Sequence, residues 1–208
     1  MSKTQLYRLI IALCGLTGVT MQINQDGWNM LLYYTVLSNI LVFVTLFFLI
    51  FWEQKVGTTN QFPTLLRLKG GVTMAIAITF IVYHFLLAPL VTDPQDYWNI
   101  RNFLVHYIAP LGLILDTLFL DKKNTYKLSD PIPWTSFPIA YFALAIFNGM
   151  VLKLPIPGAT NSPYAYFFIN VNKFGLTRVI TNALVIAIAY LFVGYLLVLI
   201  KRFVGQRT

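Results

Sequence analysis

Six runs of apolar residues alternate with short polar breaks along the chain, over residues 6–21, 31–52, 71–90, 102–120, 134–151 and 179–200. Crossing about 30 Å of hydrocarbon takes about 20 helical residues. In lipid a backbone can satisfy its own polar groups only as a helix or a closed barrel. The pattern therefore predicts an all-α, polytopic membrane protein: a single domain, residues 1–208, built as a bundle of six transmembrane helices. The breaks carry turn chemistry at Gln25-Asp26-Gly27, Gly57-Thr58-Thr59-Asn60, Thr92-Asp93-Pro94 and Ser129-Asp130-Pro131. One break is long, from Leu152 to Arg178, with Pro155, Pro157, Gly158 and Pro163 beside the aromatic patch Tyr164, Tyr166, Phe167 and Phe168. Lys3 and Arg8 precede the first run as in a signal peptide, but no small-x-small pattern follows at Thr17 to Gln22, so this run is expected to remain as a span. No internal repeat is visible, which gives an inverted-repeat transporter no support.

Composition sharpens the picture. Of 208 residues, 58% are hydrophobic and only 11% charged, with a mean hydropathy of +0.70. Soluble domains carry about a quarter charged residues, so most of this exterior must face lipid. The formal net charge of +8 would suggest nucleic acid in a soluble chain, but the basic residues are scattered singly between apolar runs and form no stripe. Read as topology signals, eleven lie on the side of the termini (Lys3, Arg8, Lys55, Arg67, Lys69, Lys122, Lys123, Lys127, Lys201, Arg202, Arg207) against four on the other (Arg101, Lys153, Lys173, Arg178). Both termini are therefore expected in the cytoplasm. The lone Cys14 excludes an intramolecular disulfide and a cysteine metal cluster, and reads as a small buried hydrophobe.

Polar side chains are costly inside a span unless they face protein or a wet cavity, which makes their depth informative. Span two places Thr35, Ser38 and Asn39 on one face of its second turn. Asn102 and His106 stack four apart near the start of span four, and His84 lies about two turns below the outer end of span three. Asn148 near the end of span five and Arg178, Thr181 and Asn182 near the start of span six join the same outer layer. Convergence from five helices is what a site looks like. Pro110 lacks an N–H, so the carbonyl of His106 is expected to lose its helical partner and span four to kink there. Asp116 lies ten residues beyond His106, about 15 Å deeper. Its expected role is structural, paired with Lys69 or Arg67, with an ion or proton path as the alternative.

The chemistry available is narrow. Two histidines on different spans with few acids nearby give no metal signature, and phosphate and dinucleotide loops are absent, so neither metal nor cofactor is expected. What remains is a hydroxyl and an imidazole: Thr35 with His106 or His84, the imidazole removing the hydroxyl proton as attack on an acyl group begins. Thr35 and His106 each lie four residues past the start of their runs, on helices running the same way. Asn39, Asn148 or Asn182 would supply amide donors to an oxyanion.

Four segments carry a resemblance: LYYTVLSNILVF at 32–43, RLKGGVTMAIAITFIVYHFLL at 67–87, NFLVHYIAPLGLILD at 102–116 and PYAYFFINVNKFG at 163–175. They resemble the bacterial six-span integral membrane proteins, a family similar in turn to the eukaryotic androgen-induced and androgen-dependent membrane proteins. Those look like intramembrane threonine hydrolases of fatty acid esters of hydroxy fatty acids, with one Thr in span two and one His in span four. The resemblance assigns these roles to Thr35 and His106, matches the following acid to Asp116 and the intervening proline to Pro110 with a shift of one place. The family's Tyr-Pro-Phe element stands here as Tyr164-Ala165-Tyr166-Phe167, a departure. It implies a multi-pass protein of the plasma (inner) membrane.

Two functions follow as expectations. One is a threonine-type lipid ester hydrolase with catalytic Thr35 and His106, and a polar cavity of Ser38, Asn39, His84, Asn102, Asn148 and Asn182. Its partners would be membrane lipids and a lipid ester, with no nucleic acid, and residues 164–168 would form an interfacial rim or lid. The other is a non-catalytic protein binding a lipid or sterol, or transporting a small solute, in the same layer. A Thr35–His106 separation beyond about 6 Å favours the second. A purely structural polar layer is a third possibility.

Overall fold

A computed structural model describes residues 1–159 and 162–207 of the chain. It is all-helical, with six helices long and apolar enough to cross a membrane: α1 (Lys3–Asp26), α2 (Tyr34–Lys55), α3 (Pro63–Leu90), α4 (Ile100–Leu120), α5 (Pro131–Leu152) and α6 (Val171–Phe203). The polar ends run past the apolar runs because local capping sets where a helix starts. Ser2 and Gln5 form a reciprocal capping box at α1, Pro63 supplies a preset φ at the start of α3, and the Asn170 side chain accepts from the Lys173 N–H at α6. Gly175, at φ +74°, breaks α6 after its first turn, a conformation open mainly to glycine. Residues 31 and 32, expected to open span two, belong instead to a separate 3₁₀ turn, Trp28–Leu32, so α2 starts at Tyr34 and Thr35 lies in its first turn rather than its second.

Helices α1 to α4 form the core, around Ile11, Ala12, Val42, Leu46, Leu49, Ile76 and Leu113. In lipid, apolar surface alone does not drive helices together, so close approach at small residues matters. A Cβ on Gly18 would come within 2.6 Å of Val105, and one on Gly112 within 2.4 Å of Ile11. These two glycines let α1 lie directly against α4. Helices α5 and α6 lean on this core and approach one another toward the end that carries the termini. There Gly194 packs on Pro131 and the Tyr190 hydroxyl donates to the Trp134 carbonyl at 2.9 Å.

That end also holds a buried charge cluster. Arg8 reaches Glu53 at 2.8 Å, Asp116 at 3.0 Å and Asp121 at 3.2 Å, while Lys69 reaches Asp116 at 3.1 Å and Asp121 at 2.7 Å. Lys201 donates to the Asp121 carbonyl at 2.9 Å. Asp116 thus meets Lys69 as expected and Arg8 in addition, whereas Arg67 pairs with Asp130. Arg8, Lys69 and Lys201, counted from sequence as topology charges, are buried: the carboxylates of Glu53, Asp116 and Asp121 pair with Arg8 and Lys69, and the carbonyls of Leu118 and Asp121 hold Lys201. Helices α3, α4 and α5 each contain wide π turns, among them Tyr83–Leu87 and Leu104–Ile108.

Candidate active site at the mouth of α2 and α4

Thr35 is brought to the α2 terminus by the break at Tyr33, and its hydroxyl lies 3.4 Å from His106 Nε2. Its backbone N–H, one of the unpaired donors of the first helical turn, bonds the Tyr166 hydroxyl at 3.3 Å. Behind it, Ser38 donates to the Thr35 carbonyl and pairs with Thr79 Oγ1 at 2.8 Å. Asn39 donates both amide hydrogens, to the carbonyls of Thr35 at 2.8 Å and Val105 at 2.9 Å. The face read from the 35, 38, 39 spacing is therefore real, but only Thr35 is free to meet a ligand.

The other bond of His106 sets which nitrogen faces Thr35. Its Nδ1 is 3.1 Å from the Asn102 carbonyl, and a carbonyl only accepts, so Nδ1 carries the proton. In the neutral ring Nε2 is then the acceptor, and it points at the Thr35 hydroxyl. The separation of 3.4 Å is a few tenths of an ångström longer than a strong hydrogen bond. The π turn at 104–108 changes the expected effect of Pro110. In π register the amide of residue 110 would serve the carbonyl of residue 105, not 106. The carbonyl deprived by proline is that of Val105, and Asn39 supplies its donor.

Two tyrosines complete the site, and neither was among the expected site residues. Tyr83 is buried and stacks on the His106 ring, with centroids 3.7 Å apart and planes 16° from parallel; its hydroxyl accepts from the Asn102 amide. Tyr166 is buried, with its hydroxyl 3.4 Å from Thr35 Oγ1. It comes from segment 164–168, of which Tyr164 and Tyr166 pack inward while Phe167 stays exposed. Tyr164 is seated on Gly149, where a Cβ would meet its ring at 2.0 Å. Burial pushes the Tyr166 phenol above its ordinary range, against the opposing bonds from Thr35, so it stays protonated and able to donate at neutral pH.

The remaining expected residues lie elsewhere. Asn148 spends both amide hydrogens on the carbonyls of Leu154 and Pro163 and accepts from the Leu154 N–H. Asn182 donates to the Phe168 carbonyl. Both bond carbonyls of the segment between α5 and α6, and Asn39 spends both amide hydrogens on carbonyls, so none of the three amides bonds the Thr35 hydroxyl. His84 is exposed, stacked on Phe80 and 3.2 Å from the Tyr107 hydroxyl. The π turn leaves Tyr83, its neighbour, to face His106. Asn102 acts through its backbone carbonyl and, from its side chain, on Tyr83 and Tyr97.

Thr35 and Tyr166 open onto a cavity of about 350 Å³ between α3, α5 and α6, walled by residues such as Ile78, Phe142 and Ala187. Among the described residues no cluster of His, Cys, Asp or Glu has a geometry for a metal ion. Comparison with protein-family models, with curated proteins and with solved structures finds no match. The geometry of the site is therefore the ground for a functional reading.

Proposed function

We propose that the chain is a multi-pass membrane protein that hydrolyses lipid esters, with Thr35 as nucleophile and His106 as general base. The observation that carries this reading is the directed chain of bonds from the Tyr166 hydroxyl to Thr35 Oγ1, to His106 Nε2, and from His106 Nδ1–H to the Asn102 carbonyl. Oγ1 attacks the ester carbonyl carbon as His106 Nε2 takes the hydroxyl proton. Tyr166 O–H turns to the developing oxyanion, beside the positive end of the α2 dipole. Collapse breaks the ester C–O bond, and the leaving alkoxide receives the proton from His106. Water then attacks the acyl-threonine, giving its proton to the same imidazole, and Thr35 is regenerated.

The basic residues that outnumber their counterparts at the terminal end support cytoplasmic termini, which would open the site toward the outer leaflet of the plasma membrane. The sequence resemblance points to fatty acid esters of hydroxy fatty acids as substrates. The almost wholly apolar wall of the cavity also favours a second reading, a lipid- or sterol-binding protein without chemistry. A fluorophosphonate probe on purified protein separates them. Labelling of the wild type that vanishes in Thr35→Ala and His106→Ala supports the hydrolase. Folded wild type that is not labelled, or labelling unchanged in Thr35→Ala, overturns it in favour of binding.

A further inference from the structure

The polar groups that line the cavity are almost all spoken for. Tyr34 donates to the Ala75 carbonyl at 3.0 Å, Tyr141 to that of Leu32 at 2.9 Å, Thr135 to that of Ile132 at 2.7 Å and Tyr190 to that of Trp134 at 2.9 Å. Thr79 is held by Ser38 and Tyr83 by Asn102. Only at the Thr35 and Tyr166 end are the hydroxyl bonds long, at 3.4 Å, and open to exchange for a ligand. An occupant therefore has one polar group, placed there, and a hydrocarbon body below it.

The length of that body is also set. Ile180, Ala183, Ala187 and Tyr190 bound the cavity along α6, at spacings that put them on one helical face. Ten residues at about 1.5 Å each make a depth of about 15 Å. Tyr190 is its floor, 4% exposed and pinned by its bond to Trp134. A carbon chain with bonds of about 1.5 Å and angles near 111° advances about 1.25 Å per atom, so about twelve carbons fill this depth.

Resting on the hydrolase reading above, we infer that the acyl half of the substrate is an unsubstituted chain of about twelve carbons, the depth along α6 from Ile180 to the Tyr190 floor. Ala187, one turn above that floor, is a specificity-determining position. A chain with a hydroxyl near its middle would find no donor on walls whose hydroxyl hydrogens are already given to carbonyls, and would lose its water partners on entry, which lowers its turnover about tenfold.

The test is the chain-length profile of kcat/KM on p-nitrophenyl esters from C4 to C18 in mixed micelles, for wild type, Ala187→Phe and Thr35→Ala. Wild type is expected to peak near C12, to fall about tenfold on the ester of 6-hydroxydodecanoic acid, and to lose turnover in Thr35→Ala. Ala187→Phe, with its ring about 4.5 Å above the floor, should move the peak about four carbons shorter while keeping C6 turnover. Thr35-dependent turnover with no length preference, or with equal rates on the hydroxylated ester, overturns the inference and leaves the hydrolase standing; these two outcomes need only wild type and Thr35→Ala, should Ala187→Phe fail to fold. A profile unmoved in folded Ala187→Phe removes the floor assignment. Equal turnover by Thr35→Ala and wild type on every ester overturns both readings.

Discussion

The ring of Tyr83 lies flat against that of His106, and the hydroxyl of the same tyrosine holds the side-chain amide of Asn102, whose carbonyl accepts His106 Nδ1–H. One residue thus fixes both the plane of the imidazole and the group that selects its tautomer. Tyr83→Leu keeps the apolar bulk but removes the stack and the hydroxyl. A misplacement of about 1 Å can cost about a hundredfold in rate, so kcat should fall by about that factor. Tyr83→Phe retains the stack and should lose less. Ester turnover on folded variants checks the order.

Tyr166→Phe tests the oxyanion role proposed for Tyr166. Its ring packs against Tyr33 and Tyr141, and these contacts survive loss of the hydroxyl. Removing one oxyanion donor typically costs about a hundredfold to a thousandfold in kcat. The expected signature is a fall of that order in kcat with KM little changed; an unchanged kcat would remove Tyr166 from the oxyanion role.

Arg8 carries the most bonds in the buried cluster, touching Glu53, Asp116 and Asp121. Arg8→Ala leaves these carboxylates short of a cation. Breaking a buried pair costs about 3–5 kcal/mol, so thermal unfolding in detergent should come down by many degrees. Asp116→Asn, which leaves Arg8 its two other acids, should cost less.

Asp130 links pH to stability. Burial raises its pKa, but the bonds from Arg67 and from the Lys127 N–H outweigh burial and hold the carboxyl below its ordinary range. A folded pKa below the unfolded one favours the folded state above the unfolded value and loses that contribution as pH falls through the folded value. The unfolded value is about 3.9, so the loss begins below about pH 4. Melting temperatures at pH 7 and pH 3 should therefore converge between wild type and Asp130→Asn on the acid side. A constant difference at both pH values would contradict the linkage.

Much of this was readable from the chain alone, for stated reasons. Six spans follow from hydropathy because lipid leaves few alternatives, and the shared depth of Thr35 and His106 foreshadows their 3.4 Å approach. Helix ends at Pro63 and Val171 were not readable, since the polar residues there, including Arg67 and Lys69 of α3, look like loop until their buried partners are known. Tyr83 and Tyr166 were hidden among 12 tyrosines, with nothing in composition to mark the two that touch the site. The asparagines at 39, 148 and 182 have the depth of donors, but carbonyls freed by a proline and by a loop claim their amides first. The π turn at Tyr83–Leu87 leaves no trace in periodicity, which is why His84 read as a partner and Tyr83 did not.

Ile139 and Leu184, 61% and 58% exposed, form the lips of the cavity on α5 and α6, and with both helices set in a bilayer such lips would border hydrocarbon rather than water. A ligand that arrives through them is already dissolved in the membrane, so the quantity that saturates the site is its mole fraction among lipids. Diluting a fixed amount of ester with inert lipid should slow turnover, while changing the volume of water around the same vesicles should leave the rate unaltered.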